Sequence, residues 1–432
     1  MSSARAPFRS REIVGEPLQR ATLGGGLRLD VFPKEGWRKT YALLGTRFGG
    51  IDLDFRSSVN GRRNRVPAGV AHFLEHKMFE KKTGDVMDAF SRLGGSSNAM
   101  TGFHYTGYLV ESTENTAACL DLLCDFVLDP WFTEALVEKE KGIIAEEIKM
   151  YRDDPAWRGF MGLLENLYGR HPVATDIAGT LESIAAIRAT DLDLCYRSFY
   201  RPDNMFLVVA GRCDPNEVED IASAVLARHG RDRDHTAVER FPRAAGGRPA
   251  RRHRREKMPV QRPKFHLGWR IDGEALGASP MELEIALEMA LGYLFGRGGP
   301  IFPALFREGL LDDSFGFEVY AESDYAFVIA AGDSPRPEEA LKRVRAALEA
   351  ALAGELDRGE LRGMRRKMIG DFVRSFDSVS ALCWNSFECF AKDADFADYG
   401  RATRKITNER VEELARRALV AEFSASHVLE PA

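Results

Sequence analysis

Between Gly24 and Val110, and again between Pro263 and Ile329, β-rich runs (LRLDVF, TYALLGTRFGG and TGYLVEST; KFHLGWRI and AFVIAAG) alternate with segments of helical period. That texture predicts α+β structure in both halves. The halves also echo each other. YTGYLVESTENTAACLDLLCDFV, from Tyr105, and YAFVIAAGDSPRPEEALKRVRAAL, from Tyr325, both read as strand, polar turn and helix, as does FLVVAGRCDPNEVEDIASAVLA from Phe206, so a duplicated unit is expected. Between the halves, residues 231–262 are rich in Arg, Gly and Pro and poor in large apolar residues, with Arg243, Arg248, Arg251, Arg252, Arg254, Arg255 and Lys257 close together. A solvated linker is the favoured reading over a contact with nucleic acid or an acidic partner. The expected organisation is thus a domain over 1–230, a linker over 231–262 and a homologous domain over 263–432.

One helical pattern contains an anomaly. At 100° per residue, the stretch from about Thr133 to Tyr151 gathers Leu136, Val137, Ile143, Ile144, Ile148 and Tyr151 on one side, with Glu138, Lys139, Lys141, Glu146, Lys149 and Arg152 opposite. Glu140 and Glu147, seven residues apart, fall inside the apolar stripe. An ionised carboxylate there needs a compensating cation or an open cleft. Pairing with a buried Arg or Lys satisfies that need as well as a metal ion does.

A metal is suggested by GVAHFLEHKMFE, which contains His72, Glu75 and His76 as HxxEH. On a helix, residues four apart share a face, so the two imidazoles can grip one ion with Glu75 beside them, the inverse of the HExxH zinc arrangement. A chain of this composition contains such a pattern by chance roughly 3% of the time, so a third ligand is required. Glu147 is the candidate. Zinc (Zn2+) held by His72, His76 and Glu147 leaves a fourth position for water, whose pKa it lowers; Glu75 then accepts the proton and returns it to a leaving amine. Glu140 is placed to orient a ligating histidine or hold water.

Composition narrows the class. The chain has 432 residues, 44% apolar and 29% charged, with 60 basic against 65 acidic side chains. This is ordinary globular composition with no field drawing it to nucleic acid. Six cysteines without a CxxC pair fit a reducing compartment, and Cys119 and Cys124 read as core. No signal-peptide or membrane-length apolar run is present, so a cytoplasmic location is expected; the Arg- and Ser-containing first ten residues are a poor transit peptide. GRGGP at 296–300 lacks a following Lys-Ser or Lys-Thr and reads as a turn, and His104, His171 and His266 read as structural.

On HFLEH at 72–76 and EKEKGIIAEEIKMYRDDP from Glu138, the chain resembles the pitrilysin/insulinase-type zinc peptidases, which include mitochondrial processing peptidase. The likeness continues through GGSSNAMTGFHYTGYLVEST, HPVATDIAGTLESI and FYRPDNMFLVVAG, and more weakly through GRGGPIFPALFREGLLDDSFGF. Its length matches the short two-domain bacterial members. The resemblance implies two homologous α+β domains, each a mainly antiparallel sheet with helices on one face, closing as a clamshell. It makes Glu147 the third zinc ligand and Glu140 a supporting glutamate. It also makes the strand with Ser97, Asn98 and Ala99 the edge to which a peptide substrate adds; read alone, Asn98 is a turn residue capping its own backbone.

The chain departs from the family pattern in two respects. His76 and Glu147 are separated by 70 residues, slightly fewer than usual. Where members carry an Arg and, seven residues on, a Tyr that bind substrate, this chain has Ala326 and Asp333. The counterpart of the HxxEH helix, MELEIALEMALGYLFG from Met281, has no histidine. One chain therefore carries one metal site, and the expected assembly is a homodimer or a heterodimer with a related subunit supplying Arg and Tyr. The expected activity is zinc endopeptidase action on short or unfolded polypeptides, or maturation of one dedicated peptide. The competing class is a non-catalytic peptide-binding or chaperone-like subunit with a structural zinc.

Overall fold

The structure, a computed structural model, describes residues 8–231, 237–241 and 246–432. The basic N-terminal seven residues and Arg243 of the basic run lie outside the described residues. Residues form two compact units, and each is discontinuous: 1–148 with 176–241 and 373–397, and 149–175 with 242–372 and 398–432.

The first unit is built on a seven-stranded sheet. In spatial order its strands are Arg9–Ile13, Glu16–Thr22, Arg28–Pro33, Met205–Gly211, Thr40–Thr46, Thr106–Ser112 and Ser96–Thr101. All neighbours are antiparallel except Met205–Gly211, which runs parallel to Arg28–Pro33, Phe206 opposite Arg28. Central strands such as Thr40–Thr46 and Met205–Gly211 are buried throughout, so their continuous apolar runs meet cover on both faces. The strand-turn-helix units read at Tyr105 and Phe206 are present, with helices Thr116–Leu128 and Pro215–Arg228 packed together.

The second unit repeats this order with five strands: His253–Met258, Ser424–Pro431, Lys264–Ile271, Ala326–Asp333 and Gly316–Ala321. Its parallel pair, His253–Met258 with Ser424–Pro431, occupies the corresponding position. Helices Pro280–Phe295, Pro337–Ala353 and Asn408–Ala418 cover one face, joining Ile285, Leu291, Val344 and Leu414 with Val328 and Ala330 in one core. The strand His253–Met258 lies within the stretch read as linker. Its arginines are not a free basic patch: Arg254 pairs with Glu165 and Glu256, and Arg255 with Glu338.

The contiguous division at 230 and 263 differs from these compact units because each half contributes one helix to the unit built mainly from the other half. Pro155–Tyr168 belongs to the second unit, where Tyr168 Oη donates to Ala326 O at 2.6 Å and Asn166 Nδ2 to Ser426 O at 3.0 Å. Its Gly159 and Gly162 lie against the rings of His266 and His427, leaving no room for a Cβ. Reciprocally, Val379–Ala391 belongs to the first unit: Phe387 sits over Gly45 and Gly107, and Trp384 Nε1 donates to Tyr41 Oη at 2.8 Å. Just beyond it, Asp395 accepts two hydrogen bonds from Arg20, at 2.6 and 3.0 Å. No strong period marks these helices as belonging elsewhere. Only the glycines at these contacts show it, Gly159 and Gly162 within the first helix and Gly45 and Gly107 on the strands beneath the second.

Candidate metal centre

HxxEH lies on the helix Val70–Met78. Gly69 starts it with φ of 90°, and a Cβ there would stand 2.6 Å from Ala178 O, so only glycine fits this entry. Eight of the nine helical residues are buried, including His72, Glu75 and Lys77, as the helix packs between the strand Ser96–Thr101 and the helix Ala189–Phe199. The second element is the helix Glu134–Asp153. Its seven-residue spacing puts Glu140 and Glu147 on one face about 10.5 Å apart along the axis, and both side chains meet the first helix.

Glu147 addresses both histidines. Its Oε1 lies 3.6 Å from His72 Nε2 and its Oε2 lies 3.5 Å from His76 Nε2, while the two rings are 4.6 Å apart at 61°. These separations are too long for hydrogen bonds. They are close to the roughly 3.3 Å that separates neighbouring donors of a tetrahedral zinc ion with bonds near 2.0–2.1 Å. The donor set, two imidazoles and one carboxylate, suits that ion, and His72, His76 and Glu147 are the one group of this kind among the described residues. Burial, then the neighbouring His76, pushes the His72 pKa down to about 3, so it stays neutral, the state that binds a metal. For His76 burial also acts downward, but the hydrogen bond to Glu140 and the charges of Glu75, Glu147 and Glu140 outweigh it and raise the pKa.

The other carboxylates hold separate positions. Glu140 is buried, its Oε1 3.1 Å from His76 Nδ1 and its Oε2 accepting from Lys77 Nζ at 3.2 Å. Burial acts to raise its pKa, and His76 and Lys77 together bring it below the ordinary value. Glu75 stands outside the donor trio and accepts a 2.5 Å hydrogen bond on Oε2 from Thr101 Oγ1. Burial raises its pKa against the opposing effect of that bond. Glu146 is exposed, as its helical phase implies. Ile143, expected in the apolar stripe, is 52% exposed: one turn before Glu147, it shares the flank that opens to solvent rather than the core.

Ser97, Asn98 and Ala99 lie in the terminal strand of the seven-stranded sheet. Among the described residues that strand pairs on one side only, with Thr106–Ser112, Ala99 opposite Tyr108, and Asn98 Oδ1 accepts from Ala99 N at 2.8 Å. Sequence reasoning missed Lys77 and Thr101. Lys77 carried a signal, since it falls among Val70, Phe73 and Leu74 on the apolar side of its helix and a lysine there needs a buried partner; Thr101 carried none.

Residues 61–181 match the family described as insulinase (peptidase family M16), and residues 186–368 match the one described as peptidase M16 inactive domain. The uncharacterized zinc protease YmfH of Bacillus subtilis is 38% identical over 416 residues, covering 95% of this chain and 96% of that one. The chain belongs to the M16 peptidase family. The zinc protease PqqE of Helicobacter pylori is 24% identical over 80% of each chain. Among solved structures, an M16-like protein from Alicyclobacillus acidocaldarius superposes at a TM-score of 0.90 with 32% identity over the whole of both chains. Pitrilysin, 15% identical, shares the fold at a TM-score of 0.73 over 99% of this chain and 47% of its own. In this M16 chain the two α+β units repeat one strand order, and the one group suited to a metal among the described residues, His72, His76 and Glu147, lies within residues 61–181, outside the match to the inactive domain. No described helix is long and apolar enough to cross a membrane.

Proposed function

We propose that this M16 chain is a zinc-dependent metalloendopeptidase acting on short or unfolded polypeptides. One observation carries the reading: Glu147 faces both His Nε2 atoms at 3.5 and 3.6 Å, while Glu75 is held just outside that trio by Thr101. His72, His76 and Glu147 would hold the ion, which when bound supplies the positive charge that polarises a scissile carbonyl and acidifies water. Glu75 takes a proton from the attacking water and passes it to the departing amine. Burial raises the Glu75 pKa, which strengthens it as a proton acceptor once it is ionised. Glu140 orients His76 through Nδ1.

Substrate is proposed to add to the terminal strand at Ser97, Asn98 and Ala99, pairing main chain with main chain. The bond from Thr101, in that same strand, to Glu75 supports this by tying the strand to the base. The assembly is proposed to contain two chains, either two copies or one copy with a related subunit supplying Arg and Tyr. In this chain Ala326 is buried, and Asp333 pairs with Lys264 at 2.7 Å. The cysteines are free, which supports a cytoplasmic setting.

Glu75→Gln tests the reading. It preserves the acceptor for Thr101 and leaves the three ligands untouched, so zinc content is expected to persist while peptide cleavage falls by about 10²–10⁴-fold. Undiminished turnover would remove Glu75 from the mechanism. Zinc binding without peptide cleavage by the wild type, alone and with its copurifying partner, would favour a peptide-binding subunit.

A further inference from the structure

Lys77 is the least expected residue of the motif helix. It directly follows His76, its side chain is 0% exposed, and burying a cation is costly unless carboxylates compensate it. Two do. Its Nζ meets Glu80 and lies 3.2 Å from Glu140 Oε2; Glu80 is held from its other oxygen by Lys139 at 2.9 Å. The remaining oxygen of Glu140 is the one 3.1 Å from His76 Nδ1. One carboxylate is thus stretched between adjacent residues of a single helix, a histidine on one oxygen and a lysine on the other. The Nδ1 of His72, by contrast, is buried without a hydrogen-bond partner. His76 is therefore the ligand whose ring orientation and tautomer depend on a polar chain: His76, Glu140, Lys77, Glu80, Lys139.

We propose that Lys77 is a positioning residue of the metal centre: it pins Glu140 so that the free oxygen accepts His76 Nδ1–H and turns His76 Nε2 toward Glu147. This rests on the reading of His72, His76 and Glu147 as zinc ligands. A lysine that served only to fix the end of the helix through its pair with Glu80, just beyond Met78, would have no coupling to Glu140. Lys77 acting through Glu140 must lose its effect when Glu140 can no longer be pinned.

The test is zinc affinity of the full chain, measured by competition with a chromogenic chelator, for wild type, Lys77→Met, Lys77→Arg, Glu140→Gln and the double variant Lys77→Met/Glu140→Gln, with folding checked by circular dichroism. Partners that orient a ligating histidine typically carry 10–100-fold in metal affinity. Lys77→Met and Glu140→Gln are each expected to weaken zinc binding by about that factor. Lys77→Arg should retain most of the affinity, and Lys77→Met should add less than about twofold in the Glu140→Gln background. Full affinity in folded Lys77→Met, or an equal loss in both backgrounds, overturns the proposal. If Lys77→Met does not fold, unchanged affinity in Glu140→Gln overturns it, because the relay would then carry nothing. A wild-type chain that binds no zinc overturns the metal-site reading itself, whereas tight wild-type binding indifferent to Lys77 overturns this inference alone.

Discussion

Thr101→Val replaces a hydroxyl by a methyl of similar size and removes one bond, the 2.5 Å hydrogen bond to Glu75 Oε2. Glu75 is only 9% exposed, so water does not readily replace the lost donor. A hydrogen bond to a charged buried group is worth about 1.5–3 kcal/mol. That bond favours the ionised carboxylate and opposes the upward effect of burial, so its loss moves the Glu75 pKa further up. A general base works deprotonated: activity is present above its pKa and lost below it. The acid limb of kcat/KM for peptide cleavage therefore moves to higher pH in Thr101→Val. On that limb the variant should fall below wild type by about 10-fold or more, since 1.4 kcal/mol corresponds to tenfold. At high pH, where Glu75 is ionised in both proteins, the profiles should converge. The assay is the pH dependence of kcat/KM on one fluorogenic peptide with both proteins zinc-loaded. Profiles that stay parallel across the pH range would refute the reasoning, because they would assign Thr101 a general structural effect rather than one exerted through the proton on Glu75.

Two further outcomes follow from the packing. Gly162→Ala, which drives a Cβ to 2.1 Å from the His427 ring, should destabilise the protein by about 1–3 kcal/mol; Gly142→Ala, exposed on the helix Glu134–Asp153 with nothing within 4 Å, should stabilise it by about 0.5–1 kcal/mol, both read by thermal melting. Asp395→Asn should cost about 2 kcal/mol near neutral pH. Burial acts to raise the Asp395 pKa, but its hydrogen bonds with Arg20 lower it to about 2. The stabilisation is thus complete above the unfolded-state carboxylate value near 4 and is lost as pH falls through about 2. Urea denaturation at pH 6 and pH 3 should show the gap between wild type and variant narrowing at the lower pH, and a constant gap would exclude the ion pair as its source.

Much of the fold was legible because its causes are local. LRLDVF, KFHLGWRI and AFVIAAG become strands because their apolar residues are covered in place, and the strand-turn-helix echo between Tyr105 and Tyr325 reflects a repeated strand order in two sheets. The candidate metal site was legible for a related reason: HxxEH and the Glu140–Glu147 spacing express helical period directly, and each places groups on one face before any tertiary contact forms. Ile143 shows where period stops being informative, since an apolar residue on the expected arc is exposed, as is Met150 seven residues on, where no element of the core covers that flank.

What the sequence by itself carried is the α+β class, from the period of its strands and helices, and the candidate site, from HxxEH on one helix and Glu140 and Glu147 on another, with the resemblance to the zinc peptidases naming Glu147 as third ligand. Only the tertiary structure decided that Pro155–Tyr168 and Val379–Ala391 serve the opposite units, that His253–Met258 is a strand and not linker, and that Lys77 and Thr101 hold Glu140 and Glu75. The physical reason is that the partners in these contacts come from distant segments: a glycine that admits a ring, or a lysine that meets a carboxylate 63 residues away, leaves no periodic trace in the chain.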